Sequence, residues 1–326
     1  MSFEVGQIAG GYEFVDVQDH ARIGRGYKVR NVLAERMEVL RVLPKEPRLG
    51  REEVDRFLRE IKVHARLSHP NIVSFYNATE IDTELVMTSE FFEGVTLEQR
   101  LSKGRMPLHE TIVCMSQVLS ALHYAHELGV IHREVSPANI LLGWDGTVKL
   151  TGFGMAKSTS DPELTQVGTV MGWLEYMSPE QVHGSLKPDA RTDIYSAGAV
   201  LYEMVSGRVP FAKSNQFDLM MAHVNECPEP PPGADPAVAR IILTALSKDP
   251  SERYQTARQF RDALESLSAI PQVEEKEPAP EAVPDTDVPP AVQPEVWGTR
   301  KLALTGLLTF VVMLAILLLF LKIAKL

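Results

Sequence analysis

The chain has 326 residues, 44% of them apolar, and a formal charge of −10. That leaves room for one large domain with an ample core plus a tail, and it argues against nucleic acid as a partner, since phosphate-backbone binders carry a basic patch. Cys114 and Cys227 lie far apart without C-x-x-C spacing, so neither a disulfide framework nor a zinc site is indicated, and both thiols are expected as core fillers.

Met1 to Gly11 lacks a basic region followed by an apolar run, so no signal peptide is expected there. The first hundred residues offer two β-like runs, VRNVLAERMEVLRVL and TELVMTSEFF. Between them lies EEVDRFLREIKVHARL, whose apolar positions recur at three and four residues, which predicts a helix against a sheet. Beyond Pro107 the patterns are long and amphipathic, as in ETIVCMSQVLSALHYAHELG, TDIYSAGAVLYEMVSG and PAVARIILTALSKDP. The short strands of NILLGWDGTVKLT fall between the first two, so this half is predicted to be mostly helical.

After residue 268 the composition changes. Residues 269–299, rich in proline and acid, read as an extended juxtamembrane linker. Leu302 to Leu321 is uncharged and matches the ~20 residues that a helix needs to cross hydrocarbon. Arg300 and Lys301 precede it, Lys322 and Lys325 follow, and Trp297 stands at interface distance. A transmembrane helix is expected over 302–321, with a short tail over 322–326. With no signal peptide expected, the large domain is placed in the cytoplasm at the inner membrane.

The string VIHREVSPANILLGWDGTVKLTGFGMAK resembles the catalytic and metal-binding segments of protein kinases. YMSPE and RTDIYSAG resemble the segments that follow them, while SHPNIV, SEFFEGVTL and SERYQTA are similar to the bacterial branch of eukaryotic-type Ser/Thr kinases. The resemblance runs from about Val5 to Ser268. It implies an α+β, two-lobed protein kinase-like fold, with a small β-rich N-lobe carrying one helix over about 5–92. A larger helical C-lobe would occupy about 93–268.

Family chemistry holds, shields and aligns a phosphoryl group, and the matching positions here depart from it. Of three loop glycines that should bring backbone amides to phosphates, only Gly24 survives, with Asp19 and Ala21 at the others. Arg41 stands at the phosphate-gripping lysine, where its planar fork can pair with Glu60 without presenting a compact ammonium. Glu134 occupies the catalytic base position, Ser136 that of a lysine, and Trp173 that of a threonine, while Asn139 is retained. Gly152 replaces the metal-binding aspartate, so no magnesium site is expected. A displaced base costs about a hundredfold, and losing a charge-stabilising element costs about 3–4 kcal/mol.

Positions that the resemblance assigns to the scaffold are kept. His132 and Phe153 would stack between the lobes, Glu180 would pair with Arg253, and Asp193 would tie down the catalytic loop. Arg133 keeps the option of gripping a phosphorylated residue, with Thr165 and Thr169 as candidate acceptors. The pattern implies a degenerate member, a pseudokinase acting as a signalling scaffold or allosteric regulator. Its expected partners are proteins, an active Ser/Thr kinase among them, and no cofactor is expected beyond weak ATP binding without magnesium. The alternative is a slow or atypical Ser/Thr kinase using Glu134 as base.

Overall fold

The computed structural model describes residues 3–18, 25–43, 51–153, 157–158, 174–184 and 188–269. The first half builds β1 (Ile8–Ala9), β2 (Tyr12–Gln18), β3 (Arg25–Asn31), β4 (Arg36–Leu43), α1 (Arg51–His64), β5 (Phe75–Ile81) and β6 (Glu84–Glu90). The strands form one sheet in the order β1-β2-β3-β4-β6-β5, antiparallel throughout. The run that reads as a single β-like stretch from Val29 to Leu43 is broken after Asn31. There the Asn31 side-chain oxygen accepts the amides of Leu33 and Ala34, a local turn that competes with the ladder.

Side chains alternate across a strand, and β4 uses both faces. Leu40 and Val42 join Phe14, Tyr27, Val29 and Val86 in one apolar cluster. Leu43 turns to the other face, where it meets Met87 and Phe57 of α1. Arg41 shares that second face by register, opposite Met87.

The second half contains β7 (Gly94–Thr96), α2 (Leu97–Leu101), α3 (Leu108–Glu127), β8 (Val130–Ile131), β9 (Ile140–Gly143), β10 (Val148–Leu150) and β11 (Lys157–Ser158). It continues with α4 (Pro179–His183), α5 (Ala190–Ser206), α6 (Gln216–Asn225), α7 (Pro236–Ala245) and α8 (Ala257–Glu265). α5 is buried from Thr192 to Tyr202 without a break, as befits a helix apolar on most sides. It is wrapped by α3, α7 and α8. Asp189 caps its start by accepting the Arg191 amide, and Gly207 ends it at φ +75°, a conformation that glycine adopts without steric cost.

The halves are stitched where the chain leaves α1. Ile72 bridges Leu150 in parallel, the Val73 amide donates to Leu150 O at 3.0 Å, and the Leu150 amide to Asn71 O at 2.8 Å. The Asn71 side-chain amide adds bonds to Gln117 Oε1 at 2.8 Å and Val148 O at 2.9 Å.

The β-rich half and the helical half are those that the resemblance implies. One expectation is corrected. Cys114 is buried on α3, but Cys227 is exposed, because it follows the end of α6 in the segment Cys227-Pro228-Glu229-Pro230, and such connections run over the surface. The chain divides into one compact unit, Met1–Gln272, and a second, Val273–Leu326. The expected linker beyond Ala269 and the expected span Leu302 to Leu321 lie outside the described residues. Among the described residues no helix is long and apolar enough to cross a membrane.

Candidate active site

The loop from His132 to Asn139 joins β8 to β9 and is fastened from below by Asp193 of α5. The fully buried Asp193 carboxylate accepts the amides of His132 at 2.8 Å and Arg133 at 2.7 Å. His126 Nε2 lies 2.7 Å from the same carboxylate. Burial opposes ionisation of this carboxyl, but the His126 contact, aided by His132, holds it below the usual range. Arg133 sits at φ +67°, a strained setting for a residue with a side chain, which persists only where surroundings over-determine it. Here the two-sided grip of Asp193 and a bond from Gln181 Nε2 to Arg133 O at 2.8 Å do so.

The His132 ring packs 4.5 Å from the Phe153 ring. The Glu134 amide donates to His132 Nδ1, which leaves Nε2–H to donate to Thr151 O at 2.8 Å. Burial keeps this imidazole neutral by lowering its pKa. His64 of α1 also packs on Phe153, with ring centroids 5.9 Å apart and Nε2 bonded to Val73 O. His64 is also buried and its pKa is lowered for the same reason.

Arg41 and Glu60 form an ion pair that links β4 to α1. The guanidinium also reaches Met87 Sδ at 3.2 Å and lies 5.8 Å from the Phe57 ring. Glu134 and Asn139 share the loop. Both are buried, and Asn139 Nδ2 donates to Glu134 O at 2.8 Å. Ser136 is buried with its hydroxyl unpartnered. Farther down, Arg253 grips Glu180 with two bonds, at 2.8 and 2.9 Å. It also donates to the carbonyls of Arg191, Ser247 and Lys248. Gly24, Trp173, Thr165 and Thr169 lie outside the described residues.

Gly152 follows β10 at φ +85°, and a Cβ built on it would lie 2.6 Å from Asn139 Cγ and Oδ1 and 2.7 Å from Nδ2. Among the described residues no group of three His, Cys, Asp or Glu side chains converges to hold a metal ion. A magnesium ion wants near-octahedral oxygen ligands, carboxylates among them. The residues at Asn139 and Gly152 offer one amide and no carboxylate, so they do not fit it.

A family model described as the protein kinase domain matches residues 20–264. The chain belongs to the protein kinase family. Among its relatives, a probable serine/threonine-protein kinase of Clostridium perfringens is 36% identical over 82% of this chain and 40% of its own length. Serine/threonine-protein kinase PrkC of Bacillus subtilis is 32% identical over 83% of this chain and 42% of its own. Serine/threonine-protein kinase PknB of Mycobacterium leprae is 34% identical over 78% and 42%. The chain thus matches less than half the length of each of these curated relatives, all of them bacterial.

Within this kinase domain, two partners were not singled out by sequence reasoning. His64 follows Glu60 by one helical turn, a spacing that shares a face and was legible. His126 lies on the buried side of α3, and its contact with Asp193 spans 67 residues, for which no local signal exists.

Proposed function

We propose that this chain is a membrane-anchored pseudokinase whose kinase domain acts as a signalling scaffold or allosteric regulator at the inner face of the cytoplasmic membrane. The observation that carries the reading is the contrast between Asp193 and Gly152. Asp193 still holds the loop with a complete set of bonds, whereas Gly152 has no side chain to act as a ligand. A domain drifting without use would be expected to lose both kinds of residue. Positioned charge supplies most of the rate in phosphoryl transfer. Without the metal carboxylate and with the base changed to Glu134, turnover falls far below the ~1–100 per second typical of kinases. The partner is a protein, with an active Ser/Thr kinase the leading class. ATP, where it binds, does so weakly and without magnesium.

A second reading, a slow Ser/Thr kinase with Glu134 as base, draws support from the relatives, which are named as kinases. Its structural basis is that Glu134 is buried in the loop, with its backbone carbonyl accepting the Asn139 side-chain amide at 2.8 Å. Thermal melting of the full chain with ATP, with ATP plus magnesium and with magnesium alone separates the two, because a ligand that binds the folded state raises Tm. The pseudokinase reading expects no magnesium-dependent shift and no labelled phosphate on a protein substrate. A shift that requires both ATP and magnesium puts the slow kinase first.

A further inference from the structure

We infer that Asn139 and the backbone at Gly152 close the cation position by direct contact, so that restoring the missing aspartate does not by itself restore a divalent-cation site. This deepens the pseudokinase reading, which rests on the absence of a ligand; here the space for that ligand is filled as well.

The contact involves the whole Asn139 amide. A Cβ at position 152 meets Cγ, Oδ1 and Nδ2 alike, all within 2.7 Å, closer than non-bonded atoms approach. Swinging the tip of the side chain therefore does not relieve it, and a change at χ1 is needed. Asn139 is not free to make that change at no cost, since Nδ2 donates to Glu134 O at 2.8 Å. Its backbone is held too, with its amide on Ser136 O at 3.0 Å and its carbonyl accepting the Thr151 amide at 2.9 Å. The opposite wall is equally fixed. Thr151 O accepts from His132 Nε2 at 2.8 Å, and Leu150 is paired with Ile140 in the sheet. Neither wall yields without losing bonds inside a buried loop.

The chain carries its own control. Gly146 adopts φ +82°, almost the conformation of Gly152 at +85°, yet a Cβ there meets nothing within 4 Å. Alanine at either position incurs the same backbone strain, and only at 152 does it also collide. The difference between the two substitutions isolates the closure.

The test is thermal melting of the full chain carrying Gly146→Ala, Gly152→Ala, Asn139→Ala and the pair Asn139→Ala/Gly152→Ala. Overpacking of this kind should lower Tm by roughly 5 °C more for Gly152→Ala than for Gly146→Ala. The pair should melt higher than the sum of its single effects predicts. Should Gly152→Ala fail to fold, recovery of folding in the pair supports the closure, and continued failure overturns it. Equal shifts at 146 and 152 with additive combination also overturn it. In parallel, Gly152→Asp is melted with and without millimolar magnesium; no shift is expected, and a rise with magnesium would overturn the proposal. Phosphorylation by the unaltered chain would instead refute the pseudokinase reading, so the two failures are separate results.

Discussion

Arg41 on β4 and Glu60 on α1 are paired across the N-lobe, but unequally buried: the Glu60 side chain is 4% exposed and that of Arg41 20%. Removing the two partners therefore has different consequences. Arg41→Met strands a carboxylate out of water and should cost about 3–5 kcal/mol, the range for breaking a buried pair. Glu60→Gln leaves a guanidinium with some access to water and should cost less. Urea unfolding of both variants checks the order, and equal small losses would mean that the pair is effectively solvated.

Arg253 makes the same kind of contact with a fuller set of donors. Its fork holds Glu180 by two bonds and three carbonyls besides. A lysine keeps the charge but loses the planar geometry. Arg253→Lys is expected to destabilise the domain by about 3 kcal/mol or more, read from chemical denaturation. A loss below about 1 kcal/mol would place the pair among ordinary surface bridges.

Acid should weaken the fold in two stages. His64, His132 and His223 are all buried, with pKa values lowered chiefly by burial, His223 to about 3 with help from the Lys248 ammonium. The unfolded chain takes up these protons below about pH 6.5 and the folded chain does not, so stability drops as pH falls from there. Each histidine contributes up to about 1.4 kcal/mol per pH unit. Asp193 and Glu180 have lowered values, and the stability they provide is present above their unfolded pKa and lost as pH falls through the folded one. Replacing His223 with phenylalanine should flatten the first stage by one proton's worth in denaturation curves between pH 6.5 and 4.5. An unchanged slope would show that His223 protonates in the fold.

The first half of the kinase domain could largely be read in advance. The three-and-four spacing of EEVDRFLREIKVHARL locates α1, and the apolar run ending at Phe92 contains β6. The stretch from Val29 to Leu43 could not be divided correctly, because its turn is made by the Asn31 side chain capping two amides. Short helices such as α6 and α8 show too few turns to assert a period. At the site, the lost carboxylate of Gly152 is plain from residue type alone. Its steric closure is not, since that depends on φ and on where Asn139 is pinned. The same holds for the three-way grip on Asp193, where His126 arrives from a distant helix.

Ser136 offers a prediction of opposite sign to most. Its buried hydroxyl has no partner, so deleting it removes an unsatisfied group instead of a bond. Ser136→Ala is expected to be neutral or stabilising by up to about 1 kcal/mol. A clear fall in Tm would reveal a hydrogen bond made in solution.

On the pseudokinase reading, shortening the base position to aspartate should not by itself yield phosphoryl transfer. Glu134→Asp returns the usual side-chain length, yet the closed position beside Gly152 remains. Transfer of labelled phosphate to a protein substrate should stay at background with magnesium and ATP. Robust transfer would show that one methylene had been the whole obstacle.

The stitch between Asn71, Ile72, Val73 and Leu150 has a mechanical consequence. α1 ends at His64, whose Nε2 is bonded to Val73 O of this seam, so its C-terminal end is tied to the helical half while Val54, Phe57 and Glu60 pack against the N-terminal sheet. A helix of 14 residues is a lever about 21 Å long with its fulcrum at the histidine. A load on that sheet, passed on through Phe57 and Glu60, acts with the longest arm at the far end of the lever and with the shortest beside the pivot, where the Phe153 ring lies 5.9 Å from that of His64.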